Sequence, residues 1–210
     1  MVLDLGWRGN LSQSTRTDRG GTRGGVGVLW RPWITVEAQD EVIAGHAFAI
    51  TMRSSKLGSI TCMSVYGWPF SNDQKKAIIW KSISEYLAAR GLPYLIGGDF
   101  NETEGEISKR TMDSGMPART EMPSNPTRMS KRKDDQDTSR CIDGFVLSRK
   151  LTAWEHSKAF LALQGRTSPH AAVKIQLNKL NERTWISFHE RPAATEPTSD
   201  VNECMHNDKV

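Results

Sequence analysis

LIGGDFNET, residues 95–103, closes a short apolar run at 92–96 that has glycine on both sides. A run this short and this apolar suits a strand buried on both faces, and such strands lie in the middle of a sheet. Its C-terminal end delivers Gly97-Gly98-Asp99-Phe100-Asn101, and strand ends of that kind are where α/β sheets place ligands. Asp99 and Asn101, two positions apart, project to the same side. Alone, the pentapeptide also reads as a turn, since Gly, Asp and Asn are common turn formers. Its neighbours decide its meaning.

Working upstream, Ser71 with Gln74 three residues later forms a capping box, which starts a helix by satisfying orphan amides. Ile79, Ile83, Tyr86 and Leu87 give that helix one apolar stripe, and Gly91 supplies its C-terminal stop. Further upstream, strands are expected at 24–30 (GGVGVLW, ended by Pro32), 33–38, 46–53 and 59–66. Residues 1–23 are polar and turn-rich without a period of 2 or 3.6, and read as a loop-rich segment.

Downstream, residues 102–140 are charged and punctuated by Pro, and read as helix fragments and a long surface loop. The basic run Lys131-Arg132-Lys133 is followed by an acidic one that cancels its charge, so it reads as a solvated loop before it reads as a DNA contact. Residues 141–147 (CIDGFVL) return to a buried-strand pattern with Asp143 as the one charge, and 171–177 (AAVKIQL) form a last strand just after Ser168-Pro169-His170. A buried strand rarely carries a carboxylate without a partner. The segment 189–210 lacks the apolar surface to repay ordering and reads as a disordered tail.

Composition narrows the classes. The 210 residues carry a formal net charge of +4 and a pI near 9.0, a mild bias toward polyanionic partners. Cys62, Cys141 and Cys204 are odd in number and widely spaced, which supports neither a disulfide framework nor a zinc site and suits an intracellular compartment, the nucleus included. No apolar run approaches the roughly 20 residues of a membrane span, and no signal core precedes residue 30. Trp30, Trp33, Trp68 and Trp80 read first as core or rim packing and second as base-stacking platforms. His46, His156, His189 and His206 lack a motif and default to structural or solvated roles.

Four segments occur in a telling order: GGVGVLW (24–30), SVYGWP (64–69), LIGGDFNET (95–103) with SRCIDGFVLS (139–148), and SPH (168–170) leading into a strand. In this order they resemble the endonuclease/exonuclease/phosphatase superfamily over residues 24–178, most nearly the endonuclease domains of non-LTR retrotransposons. The resemblance implies an α/β sandwich of two packed, mostly antiparallel sheets (DNase I-like) in a domain at 24–188. It also implies a metal-dependent phosphodiester hydrolase with DNA as the substrate class and Mg²⁺ or Mn²⁺ as cofactor, and implies no membrane or protein partner. Asp99 matches the residue that orients the nucleophilic water, and Asn101 the one that contacts phosphate or metal, so these two are the implied ligands. Asp143 matches the partner of the catalytic imidazole, His170 that imidazole, and Tyr66 a phosphate-proximal position.

Two departures qualify the resemblance. The family's last motif usually reads Ser-Asp-His, whereas Pro169 stands in the Asp position here and offers no ligand. The family's opening strand–helix–strand, with its Asn and metal-binding Glu, finds no match in the sequence, so the domain reads as N-terminally truncated. From that follow three expectations: impaired or absent nuclease activity, an exposed sheet edge beside 171–177, and marginal stability. A non-catalytic remnant with weak nucleic-acid binding is one alternative, and a phosphoinositide or other phosphoester phosphatase of the same fold is another.

Overall fold

The computed structural model describes residues 6–16, 22–54, 58–68, 73–131, 137–152, 155–156, 160–161, 170–179 and 182–188. In chain order the elements begin with β1 (Arg8–Ser12), β2 (Thr15–Arg16), β3 (Thr22–Arg23), β4 (Val26–Trp30), β5 (Thr35–Ile43), β6 (Ala47–Ser54), β7 (Gly58–Tyr66) and α1 (Asp73–Arg90). Next come β8 (Tyr94–Asp99), α2 (Glu104–Asp113), β9 (Ala118–Glu121), β10 (Arg128–Lys131), β11 (Asp137–Arg140), β12 (Asp143–Ser148) and α3 (Arg149–Thr152). The chain then forms β13 (Glu155–His156), β14 (Phe160–Leu161), β15 (Val173–Lys179) and β16 (Glu182–Phe188).

Six strands form the central sheet in the order β5-β6-β7-β8-β12-β9. All neighbours are antiparallel except β7 and β8, which run parallel because α1 carries the chain back across the sheet. The mostly antiparallel α/β architecture implied by the motifs is the one observed. Side chains alternate between two cores, as a period of 2 requires. Phe48, Ile50, Cys62, Leu95, Phe145 and Leu147 face a second layer made of β4 and β15. On the opposite face, Ala49, Met63, Val65, Ile96 and Val146 meet the buried stripe of α1, Ile79, Trp80, Ile83 and Leu87.

Helix α1 stops where expected: Gly91 takes φ 64 and its N–H reaches the Leu87 carbonyl at 3.0 Å. Ser71 of the expected capping box lies outside the described residues. The strand containing the GGDFN motif runs further than its apolar stretch, through Gly97 and Gly98 to Asp99.

Three readings are corrected. Residues 8–12 form a strand on β4 rather than a loop, and its mostly exposed side chains explain why it carries no alternating signal. Its last residue, Ser12, is buried, donates to the Glu41 carboxylate and accepts the Gly45 N–H at 2.7 Å, anchoring the ribbon to the β5–β6 turn. In the 102–140 stretch the expected helix is α2, capped by Thr103 and Glu106, but the part expected as a long surface loop holds β9 and the antiparallel β10–β11 pair. Finally, β15 is not the last strand: β16 pairs along its whole length on one side, and β13 and β14 pair its two ends, at 177–178 and 173–174, on the other, so the expected open edge is only a short central gap among the described residues. Pro169 and the tail at 189–210 lie outside the described residues.

Burial pushes the Cys62 thiol up to about 12, which makes it an inert core residue. Among the described residues no helix is long and apolar enough to cross a membrane.

Candidate active site at the strand ends

Three neighbouring strands end in one row. Tyr66 of β7 stands opposite Asp99 of β8, and Asp99 stands opposite Asp143 of β12. Their positions in the alternation put all three side chains on the face that carries Cys62, Leu95 and Phe145. The parallel β7–β8 pair is what brings two C-terminal strand ends to the same edge. Two glycines let those ends close on each other: a Cβ on Gly98 would sit 1.9 Å from the Val65 carbonyl, and one on Gly67 1.9 Å from the Phe100 carbonyl. Gly67 N–H then donates to the Asp99 carbonyl at 2.7 Å, and the Asn101 amide donates to the Gly67 carbonyl at 3.1 Å.

His170 arrives from the second layer. It forms an antiparallel bridge with Arg128, and Ala171 N–H donates to the Thr127 carbonyl at 2.7 Å. Thr127 is buried, and its hydroxyl accepts the N–H groups of Ile142 at 3.1 Å and Asp143 at 3.2 Å. One residue therefore holds both the Asp143 strand end and the His170 segment. His170 Nδ1 lies 3.1 Å from Asp143 Oδ2, while Nε2 lies 3.8 Å from Asp99 Oδ2. On the other side Asp99 Oδ1 accepts the Asn101 N–H at 3.0 Å. Asn101 takes φ 52, the one non-glycine residue with positive φ among the described residues, and Asn tolerates that region better than most.

All five residues singled out in the sequence, Tyr66, Asp99, Asn101, Asp143 and His170, thus gather at one end of the sheet. The structure adds Thr127 and Glu102, which the sequence did not reveal, and gives His46 the structural role expected of it. Thr127 lay in a stretch without periodicity. His46 is 3% exposed: Nδ1 meets the Tyr66 carbonyl at 2.8 Å and its ring stacks 4.3 Å from Trp68. Glu102, 2% exposed, turns away from the row into the helices, where Trp80 Nε1 donates at 2.9 Å, Arg110 Nε at 3.2 Å, and Lys76 Nζ lies at 3.8 Å. Burial works against the Arg110 charge, but its bonds to Glu102 and Asp73 outweigh that and raise its pKa. The remaining tryptophans divide: Trp30 is in the core and Trp33 is exposed.

Asp99, Asp143 and His170 offer ligand atoms that all lie within 4.8 Å of one another. The imidazole is engaged by Asp143, so within this group the oxygens of Asp99 are the atoms best suited to a hard cation. Two residues before Asp143, burial and then the charges of Asp143 and Glu104 push the Cys141 thiol up to about 11. It donates to the Pro123 carbonyl at 3.3 Å and is no nucleophile in that state.

Residues 2–173 match the sequence profile of the endonuclease/exonuclease/phosphatase family, beginning well ahead of residue 24, where the motifs first show the resemblance. No curated protein matches the chain in sequence. Among solved structures, the endonuclease domain of TRAS1, a telomere-specific non-LTR retrotransposon, superposes with a TM-score of 0.64 at 13% identity, over 82% of this chain and 81% of that domain. Zebrafish (D. rerio) TDP2 complexed with a single-strand DNA product gives 0.59 at 10%, over 84% and 78%. A Bacteroides thetaiotaomicron mannosyl-6-phosphatase gives 0.56 at 13%, over 83% and 78%. At these identities the likeness is one of fold.

Proposed function

We propose, on the premise that the chain belongs to the endonuclease/exonuclease/phosphatase family, that it hydrolyses phosphodiesters of DNA, in the manner of a retrotransposon endonuclease. The family's fold is that of phosphodiesterase- and phosphatase-type hydrolases, whose enzymes generally depend on a divalent metal. The observation that carries the reading is the Asp143–His170 pair set opposite Asp99, with Nδ1 at 3.1 Å from one carboxylate and Nε2 at 3.8 Å from the other.

That spacing sets the Nε2 edge beside the Asp99 carboxylate at the strand ends. Asp99 orients a water there and accepts its proton as the water oxygen bonds to phosphorus and the bond to the leaving oxygen breaks. Asp143 accepts from Nδ1–H, which fixes the imidazole, and in its protonated form Nε2–H donates to a phosphoryl oxygen as charge builds. Tyr66, beside Asp99 in the row, offers its hydroxyl to the phosphate. Asp99 and the Asn101 carbonyl would hold Mg²⁺ or Mn²⁺, since the Asn101 nitrogen is committed to Gly67. Bound there, the cation would supply charge neutralisation and a more acidic water. One carboxylate and one amide form a weak set, because ligand charge sets affinity, and dissociation constants near 10⁻⁴–10⁻³ M are expected, roughly those of the weakest calcium modules.

The positive net charge and the likeness to the TRAS1 domain and to TDP2 support DNA as the substrate class. Incubating the full chain with supercoiled plasmid at millimolar Mg²⁺ or Mn²⁺ tests it. Weak nicking should appear, impaired as the unmatched Glu motif leads one to expect, stop with EDTA, and fall about 10²–10³-fold in His170→Ala, the usual span for a lost donor to a developing oxyanion. Turnover of phosphomonoesters alone would move the assignment to the phosphatases. No turnover of either class, with metal present, would leave a non-catalytic domain.

A further inference from the structure

The turn at 99–103 has a second carboxylate that the proposed chemistry does not use. Glu102 sits next to Asn101, and its side chain is 3% exposed among Trp80, Arg110 and Lys76, whose two cations are 17% and 14% exposed. Burying a carboxylate with its partners brings little net stability, because the cost of stripping water from the charges offsets their attraction. What such a site secures is a position. Trp80 and Lys76 belong to α1, and Arg110 belongs to α2 and reaches on to Asp73 at the start of α1. The single carboxylate thus ties the turn to both helices at once.

The conformation of Asn101 gives this tie a target. With φ 52 the backbone reverses its lateral direction at residue 101, so that the Asn101 amide reaches Gly67 on the strand-end side while Glu102 enters the helix side. We infer that Glu102 is a positioning residue: its buried clamp holds Asn101 in the left-handed conformation and aims the Asn101 carbonyl into the site. The inference rests on the hydrolase reading for the purpose of that aim, though the clamp and the aim are separately measurable.

Glu102→Gln keeps an acceptor for the Trp80 indole and removes the charge that Arg110 and Lys76 share. In the folded variant, the Asn101 side-chain amide, assigned in a nitrogen-15 spectrum by its disappearance in Asn101→Asp, should lose its hydrogen-bonded shift and its exchange protection. Mn²⁺ affinity and kcat should each fall about 10–100-fold, the usual cost of removing a group that orients a ligand, with KM unchanged. In an Asn101→Ala background the same substitution should cost nothing further, because Glu102 acts through Asn101. An Asn101 amide that stays put in folded Glu102→Gln, or equal losses in both backgrounds, would overturn the inference. Should Glu102→Gln fail to fold, the paired Glu102→Met/Arg110→Met change substitutes an apolar contact for the ion pair; a folded pair variant with Asn101 still in place would overturn it equally. A wild-type chain with neither turnover nor Mn²⁺ binding, whose Asn101 amide nonetheless moves in Glu102→Gln, would sink the hydrolase reading and leave the clamp standing.

Discussion

Asp99 and Glu102 are three residues apart on one turn, nearly equally buried, and placed in opposite company. Asp99 shares its row with a second carboxylate, Asp143, and with an imidazole whose Nε2 is 3.8 Å away. Glu102 has an indole N–H at 2.9 Å, a guanidinium at 3.2 Å and an ammonium at 3.8 Å. A carboxylate surrounded by donors and cations is satisfied by the fold. One set beside another carboxylate is placed at a cost in like-charge repulsion, and that cost makes sense where a cation or a proton is to be handled. Burial alone therefore does not mark the working residue; the sign of its neighbours does.

The sharpest way to break this comparison is to remove each carboxylate and measure stability. Glu102→Ala takes the carboxylate from Lys76, leaves Arg110 with Asp73 alone and strands the Trp80 indole N–H, and should cost about 3–5 kcal/mol in urea unfolding. Asp99→Asn should cost little or even stabilise, since it relieves repulsion with Asp143, while ending turnover. Equal losses in the two variants would show that both are structural. A smaller effect is expected at Thr127, which serves the Asp99 side. Thr127→Val leaves two buried N–H groups, of Ile142 and Asp143, without an acceptor and should cost about 1–3 kcal/mol, with a further drop in activity from the loosened Asp143–His170 pair.

The smallest effect concerns the rim of the turn. Glu106 accepts from the Thr103 N–H at 2.7 Å, and chiefly for that reason its pKa is lowered. A carboxyl with a depressed folded pKa stabilises above its unfolded value and loses that contribution as pH falls through the folded one. The gap in urea midpoint between the wild type and Glu106→Gln should therefore be constant at neutral pH and close at pH values below 4.5. A gap that persists in acid would place the effect elsewhere than the cap.

The Asp99 side of this comparison was legible in the sequence and the Glu102 side was not. GGDFN, the lone Asp143 in an apolar strand and His170 before a strand each combine a chemical type with a local pattern. Glu102 has no such pattern, because its partners lie 22 and 8 positions away and meet it through helix packing. Thr127 is a single hydroxyl in a polar stretch, and its role depends on a segment more than forty residues downstream. The strand β1 was hidden for a different reason: its side chains are mostly exposed, so pairing with β4 imposes no alternation. What the sequence discloses is what is local.

Thr127 also defines how the molecule could change. The β10–β11 pair leaves the body at Thr127 and returns at Arg140, where Thr127 N–H meets the Arg140 carbonyl at 3.1 Å. Thr127 holds the Ile142, Asp143 and Ala171 N–H groups at that doorway, and the Arg128–His170 bridge adds a tie at the first pair of the hairpin. Beyond that first pair the hairpin is a fitting mounted beside the strand ends, where a change alters what can approach the row while the row stays in register.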